Sequence, residues 1–169
     1  GNRDSWMSLG LGDVYKRQAI RSIANMIGYW KNPDATKECM NEEGWFKSGD
    51  VGKFEGPLLF ISDRIKDMVI RGGENIACPE VESAIYQHPE VLEACVFGIP
   101  DERLGELLCT AIYLRNESNA TEDSIREFLS TKLAAFKIPA VIDFVSEPLP
   151  KLASGKFDKP TLRKIYTIN

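Results

Sequence analysis

The spacing of apolar residues predicts a helix over residues 121–136, the most strongly periodic stretch of the chain. Its apolar face consists of four residues separated by one to four positions: Ile125, Phe128, Leu129 and Leu133. Thr121 is a candidate N-cap, and Pro139 is expected to end the helix because proline cannot continue it. A second helix is predicted over residues 79–88, and a short one opens at Pro160.

Three short apolar runs predict β-strands over residues 91–99, 107–114 and 140–145. Together with the helices they follow the order helix, strand, strand, helix, strand, helix. This order predicts an α+β fold: a small C-terminal domain with a three-stranded sheet flanked by helices.

The chain ahead of this domain has a short, β-rich pattern. Two strand runs, 45–54 and 57–63, flank a turn, and a short helix over 34–40 with Asp34 as its candidate N-cap precedes them. Residues 63–76 contain two short runs around a glycine pair, which is typical of a hairpin or tight loop.

Composition narrows the classes of function. The net charge of −4 gives no global electrostatic attraction to nucleic acid. No apolar run approaches the roughly 18 residues of a membrane span, so no transmembrane segment is predicted. The four cysteines form no CxxC pair and there is one histidine, so we predict no metal site and expect a reduced, cytoplasmic setting.

The first residues of the chain follow a different pattern. They show neither helical nor strand periodicity, and the string DVYKRQ at 13–18 resembles the translation of a transposon end used in sequencing libraries. We interpret residues 1–18 as a non-native leader. The alternative is a genuine but variable linker.

Candidate chemistry is concentrated in a basic segment, residues 151–164, where five basic residues face a single acid, Asp158. Lys156 follows Gly155 in a loop-like stretch, so its side chain can project from a turn toward a phosphate-rich ligand. Phe157 excludes a phosphate-loop motif, which requires Ser or Thr after the lysine. Composition alone leaves a solvated basic tail as the alternative.

Three stretches in register resemble the adenylate-forming superfamily of acyl-CoA synthetases, luciferases and peptide-synthetase adenylation domains. They are MIGYWKNPDAT followed by GWFKSGDVG, then DRIKDMVIRGGENIACPEVE, then PLPKLASGKFDK. Within this superfamily, the sequence is most similar to fatty-acyl or related carboxylate-CoA ligases. The resemblance implies that residues 19–62 end a large adenylating domain, residues 63–67 form a hinge, and residues 68–169 form a mobile C-terminal lid.

The resemblance also implies roles for individual residues. Asp50 would bind the ribose hydroxyls of ATP, because a carboxylate can accept from both, and Arg64 would contact the nucleotide. Lys66, where many relatives carry aspartate, would be the pivot of the hinge. Gly72 and Gly73 would form the loop beside which the pantetheine arm of CoA passes.

Lys156 matches the lysine of adenylation, which would bridge the substrate carboxylate and the α-phosphate of ATP. The implied reaction converts an acid, ATP and CoA into acyl-CoA, AMP and pyrophosphate through an acyl-adenylate, with Mg²⁺ entering on ATP. The implied partners are an N-terminal large domain, which carries the phosphate loop and acyl pocket, and a small-molecule carboxylic acid. Without that domain we predict that the chain is inactive.

Two other functions remain open at this point. Within the same superfamily, the acceptor would be the thiol of a carrier protein instead of CoA. From a different class, the chain would be a non-catalytic α+β interaction module that binds a partner through an exposed strand or apolar face.

Overall fold

The structure, a computed structural model, describes residues 16–55 and 57–168. The chain divides into two compact units, the first ending at Lys66 and the second beginning at Asp67. Of the proposed leader, residues 1–15 lie outside the described residues. The non-native origin of residues 1–18 therefore stays a prediction.

The first unit contains an antiparallel sheet in the order β1 (Lys16–Ile20), β2 (Phe46–Glu55), β3 (Leu58–Arg64). The two predicted strand runs correspond to β2 and β3, whereas the apolar pattern does not indicate β1. Glycine at position 52 allows β2 and β3 to approach closely, because a Cβ on Gly52 would lie 2.5 Å from the carbonyl oxygen of Phe60.

The short helix α1 (Pro33–Cys39) lies between β1 and β2. The prediction of Asp34 as its N-cap is wrong, because the side chain of Asn32 accepts the hydrogen bond from the Ala35 amide at 3.1 Å. Pro33 takes the first helical position, where its missing N–H would be unpaired in any residue. The helix therefore begins at Pro33, one residue before the predicted start, and Asp34 lies in its first turn.

The second unit contains five strands and three helices among its described residues. In chain order they are β4 (Val69–Arg71), β5 (Glu74–Ile76), α2 (Cys78–Ile85), β6 (Val91–Asp101), β7 (Gly105–Leu114), α3 (Glu122–Ser130), β8 (Val141–Val145) and α4 (Lys159–Ile168). This confirms the predicted α+β class and the predicted order of helices and strands.

The strand β7 is the centre of the second sheet. It pairs along its whole length with antiparallel β6, while β4 pairs with it at Gly105 and β8 pairs with it in parallel from Cys109 to Tyr113. The three predicted strands are β6, β7 and β8. The sheet has two more strands than predicted, because the hairpin β4–β5 also joins it through β7.

Two apolar clusters pack on opposite faces of this sheet. Alternate residues of β6 contribute to different clusters: Val96 packs with α2 and α3, whereas Phe97 packs with Leu162 of α4. Both faces are therefore covered by helices. The helix α4 is held on the face opposite α2 and α3, and it begins three residues after Lys156.

The prediction that a single helix covers residues 121–136 and stops at Pro139 is wrong at its C-terminal end. The N-cap is correct, since Thr121 and Ser124 form a reciprocal capping box, but the helix ends at Ser130. The hydroxyls of Ser130 and Thr131 donate to backbone carbonyls three residues earlier, at 2.7 Å each, and compete there with helical amides. A separate 3-10 turn, Ala135–Lys137, follows. Within the described part of the chain, no helix is both long and apolar enough for a membrane span.

Candidate functional site

Two of the residues assigned to the nucleotide lie opposite each other in the first unit. Asp50 of β2 pairs in register with Arg64 of β3, and the Arg64 Nε lies 3.2 Å from the Asp50 Oδ1. The Asp50 side chain is 28% exposed, so it is accessible to a ligand. A carboxylate offers about four lone-pair sites, so one guanidinium contact leaves acceptor capacity for two adjacent hydroxyls.

The backbone around this pair is set by local hydrogen bonds. The amide of Asp50 donates to the Ser48 hydroxyl at 3.1 Å, and the amide of Arg64 donates to the Asp63 carboxylate at 2.7 Å. Gly49 has a φ of +77° and accepts from the Ile65 amide at 2.8 Å. Asp50 in the middle of β2 and Arg64 at the end of β3 are therefore held by hydrogen bonds of their own amides to neighbouring polar side chains.

Lys66 lies directly after this pair, in an exposed turn between β3 and β4. It is the last residue of the first compact unit. A turn residue at a boundary between units can change its φ and ψ without breaking a helical or sheet hydrogen bond. The position is compatible with a pivot, and the pivot role itself stays a prediction.

The glycine pair forms the two-residue turn of the β4–β5 hairpin. Gly72 and Gly73 have φ values of +59° and +88°, the combination that a type I′ turn requires at both central positions. The Gly72 amide donates to the Leu104 carbonyl at 2.7 Å. A Cβ on Gly73 would meet no described atom within 4 Å. The backbone conformation therefore explains both glycines, and the CoA role stays a prediction.

Lys156 lies at the tip of a tight hairpin between β8 and α4. An isolated bridge joins Lys151 to Phe157, the Leu152 amide donates to the Lys156 carbonyl at 2.8 Å, and the Gly155 amide donates back to the Leu152 carbonyl at 2.9 Å. Gly155 makes the turn with a φ of +81°. Lys156 is exposed, and its ammonium has no ion-pair partner within the described ranges 16–55 and 57–168. It is available to an anionic ligand.

A half-buried carboxylate that the sequence interpretation missed, that of Glu93, fixes the start of this hairpin. Glu93 of β6 accepts from the Leu149 amide at 2.9 Å and from the Lys151 Nζ at 2.5 Å. Partial burial alone would raise the pKa of Glu93, but the hydrogen bonds from Lys151 and from the Leu149 amide hold that pKa below its ordinary value. The only sequence signal is an acid placed inside the apolar run VLEACVFGI.

The other end of the hairpin is fixed as well. The Asp158 amide donates to the Pro150 carbonyl at 2.8 Å, and the Asp158 carboxylate accepts from the amide and hydroxyl of Thr161 in the first turn of α4. Next along the chain, Lys159 pairs with Glu82 of α2 at 3.0 Å, and each side chain is 18% exposed. Glu82 also accepts from a β6 amide, that of Val96, at 2.9 Å.

Glu82 is the second acid whose role differs from the simplest sequence interpretation. In the sequence it resembles a first-turn acid of α2 that favours the helix dipole, whereas in the structure its carboxylate joins α2, β6 and α4. The second unit therefore presents the exposed ammonium of Lys156, which has no ion-pair partner among the described residues, on a hairpin held at both ends. Among the described residues, no group of three or more His, Cys, Asp or Glu is arranged to hold a metal ion.

Comparison with known proteins places this geometry in a family. The model for the AMP-binding enzyme C-terminal domain matches residues 80–156. The chain is 45% identical over 145 residues to probable acyl-activating enzyme 9 of Arabidopsis thaliana, covering 83% of this chain and 26% of that protein. It is 40% identical over 159 residues to the long-chain-fatty-acid–CoA ligase FadD13 of Mycobacterium tuberculosis, covering 94% and 30%.

The solved structures agree with the sequence relatives. ATP-bound MatB from Rhodopseudomonas palustris superposes with a TM-score of 0.84 at 33% identity, over 94% of this chain and 31% of that one. The chain belongs to the adenylate-forming superfamily. The resemblance noted in the sequence is thereby confirmed, and the match to the AMP-binding enzyme C-terminal domain ends at Lys156. It spans between a quarter and a third of the length of these relatives.

Proposed function

We propose that this chain is the C-terminal part of an ATP-dependent acyl-CoA synthetase and that Lys156 acts in the adenylation step. The observation that carries the proposal is an exposed ammonium without an ion-pair partner in the described part of the chain, at the tip of a hairpin rooted at both ends. A preplaced cation of this kind stabilises charge that accumulates on the phosphoryl oxygens during attack.

In this proposal the two units contribute to different parts of the reaction. The carboxylate of the substrate acid attacks the α-phosphorus of ATP, pyrophosphate leaves, and Lys156 neutralises the oxygens around that phosphorus. Asp50 accepts from the ribose hydroxyls, while Arg64 orients Asp50 and faces the nucleotide. The thiol of CoA then attacks the acyl carbon, AMP leaves, and the Gly72–Gly73 turn faces the CoA arm. Mg²⁺, bound mainly through the phosphates of ATP, would supply further charge neutralisation.

The proposed partner of the first unit is an N-terminal adenylating domain. Several large apolar side chains of this unit are exposed, among them Ile27 at 100% and Trp30 at 88%, and the strand β3 exposes Leu58, Phe60 and Ile61. Contiguous exposed apolar surface is typical of a face that packs against another protein surface. The shared length with relatives, 26–31%, agrees with a large remainder.

Substituting the lysine tests the proposal in a completed enzyme, meaning this chain joined to its native upstream domain or to the corresponding domain of FadD13, with palmitate as the acid. We expect Lys156→Ala to lower the adenylation rate by about 10²–10³-fold, the usual cost of removing one transition-state charge partner. Acyl transfer to CoA from supplied acyl-adenylate should stay unchanged. Adenylation is measured by acid-dependent pyrophosphate exchange.

Lys132→Ala is the matched control, because Lys132 is an exposed lysine of the same unit outside the hairpin. It should leave both half-reactions unchanged. Equal losses of Lys156→Ala in the two half-reactions, or no loss in either, would contradict the assigned role. Replacing CoA with a carrier-protein thiol in the second half-reaction tests the acceptor, and faster transfer to the carrier would reject the CoA assignment.

The chain alone is expected to lack adenylation activity, because the phosphate loop and acyl pocket belong to the proposed upstream domain. Pyrophosphate exchange on the purified 169-residue chain is the measurement. An exchange rate that rises with added acid would overturn this expectation. The cytoplasmic setting suggested by the sequence likewise stays a proposal.

A further inference from the structure

The segment that carries Lys156 is anchored at its start by one carboxylate. Glu93 belongs to β6, its side chain is 16% exposed, and its two oxygens accept from two groups at the root of the hairpin. One is the Leu149 amide and the other is the Lys151 Nζ. Since Lys151 also forms the bridge to Phe157, the carboxylate fixes the residue from which the hairpin starts.

The end of the same segment is anchored to the same strand. Lys159 pairs with Glu82, whose carboxylate also accepts from the Val96 amide of β6. Glu93 therefore holds the start of the hairpin and Glu82 holds its end. Both carboxylates connect the hairpin to β6, because Glu93 belongs to this strand and Glu82 accepts from its Val96 amide. The strand β6 in turn pairs with β7 from Glu93 to Asp101 without a register shift, so both anchors are attached to a continuously hydrogen-bonded pair of strands.

The side chain of Lys156 has no such anchor. Among the described residues its ammonium makes no ion pair, and a flexible side chain of four carbons separates the ammonium from the backbone. Where the ammonium can reach is consequently decided by the hairpin backbone. Misplacement of a reacting group by about 1 Å can cost on the order of 10²-fold in rate. A small change in the orientation of the hairpin where it leaves β6 should therefore displace the ammonium of Lys156.

We propose that Glu93 is a positioning residue for adenylation, which acts through the hairpin on Lys156 without touching substrate. This inference rests on the proposed function of Lys156 and deepens it. It predicts that substituting Glu93 lowers the rate of adenylate formation. The rate of acyl transfer to CoA should not change, because only the first step uses Lys156.

Two variants test the anchor in the completed enzyme. Glu93→Gln keeps the size and an acceptor for the Leu149 amide but loses the charge that binds Lys151. Lys151→Met removes the ion pair from the other side. We expect each to slow adenylation by about 10-fold, as for a misplaced catalytic group, with thioester formation within about twofold of wild type.

The chain offers a matched control in another carboxylate–lysine pair of the same unit. Glu80 and Lys137 lie 2.6 Å apart, and both are outside the hairpin segment 149–159. Glu80→Gln should leave both half-reactions unchanged. If Glu93→Gln slowed the two half-reactions equally, or had no larger effect on adenylation than Glu80→Gln, the positioning role would be refuted.

Combining the substitutions shows whether Glu93 acts through Lys156. In a Lys156→Ala background, Glu93→Gln should cause no further loss of adenylation, because the group being positioned is gone. Losses that multiply would refute the inference. A failure of Lys156→Ala to slow adenylation would instead refute the proposed function, so the two failures are distinguishable.

A structural readout on the 169-residue chain needs no activity. The amides of Leu152 and Gly155 close the hairpin, so their hydrogen exchange reports its order. Exchange at both amides should be faster in Glu93→Gln than in wild type or in Glu80→Gln. Unchanged exchange at both amides would overturn the anchoring argument.

Discussion

At the scale of single residues, burial decides which side chains can react. Burial raises the pKa of the Cys95 thiol to about 12 and that of the Cys109 thiol to about 11, and both are fully buried. Cys78 is also buried, and its Sγ donates to the Asp67 carbonyl at 3.1 Å. Lys156, in contrast, is exposed on its hairpin. The apolar runs around Cys95 and Cys109 agree with their burial, and the loop-like stretch around Lys156 agrees with its exposure.

The cysteines give a prediction that depends on pH. The thiolate is the form of cysteine that attacks a disulfide reagent, so at pH 8 Cys95 and Cys109 should be inert, while half-buried Cys39 should react first. Titration with a chromogenic disulfide should release about one equivalent quickly and the remainder on unfolding in urea. Raising the pH toward 11 should increase the rate at which the slowly reacting buried thiols are modified, because their thiolate fraction grows. A fast thiol that persists in Cys39→Ser would contradict this.

At the scale of elements, the sequence predicted where helices and strands lie better than how they end or join. Apolar runs indicated β6, β7 and β8 because each contributes buried or partly buried residues to both faces of the sheet. It could not show that hydroxyls of Ser130 and Thr131 end α3, since the leucine at 133 continues the apolar spacing. It also gave no sign that Glu93 roots a hairpin 56 residues away, at Leu149, because that contact exists only in the folded sheet.

The hairpin that bears Lys156 depends on its glycine. Gly155 has a φ of +81°, and a Cβ there would meet no described atom within 4 Å, so the cost of a substitution is in the backbone alone. We expect Gly155→Ala to lower the free energy of unfolding by about 1–2 kcal/mol. Gly155→Asn should lose less, since asparagine tolerates left-handed conformations. Urea denaturation followed by circular dichroism is the measurement, and an alanine variant as stable as wild type would show that the hairpin does not need this conformation.

At the scale of the whole molecule, the resemblance predicts a hinge between two domains, and the hinge itself stays a prediction. The division into compact units falls after Lys66, inside the range 63–67 that the resemblance assigns to a hinge. Asp50 and Arg64 belong to the first unit, and Gly72, Gly73 and Lys156 belong to the second. Periodicity could not locate this boundary, because β3 and β4 on either side read as one continuous strand-rich stretch.

A pivot at Lys66 makes a prediction about the ratio of the two half-reactions. If the second unit rotates between adenylation and thioester formation, restricting one dihedral angle should favour one orientation over the other. Proline fixes φ near about −65°, so Lys66→Pro should change the ratio of the two rates in the completed enzyme by about tenfold or more. Lys66→Ala, which leaves φ free, should stay close to wild type in both steps. Equal effects of Lys66→Pro on the two rates would mean that the chain does not pivot here, because a fold defect lowers both steps while a restricted hinge separates them.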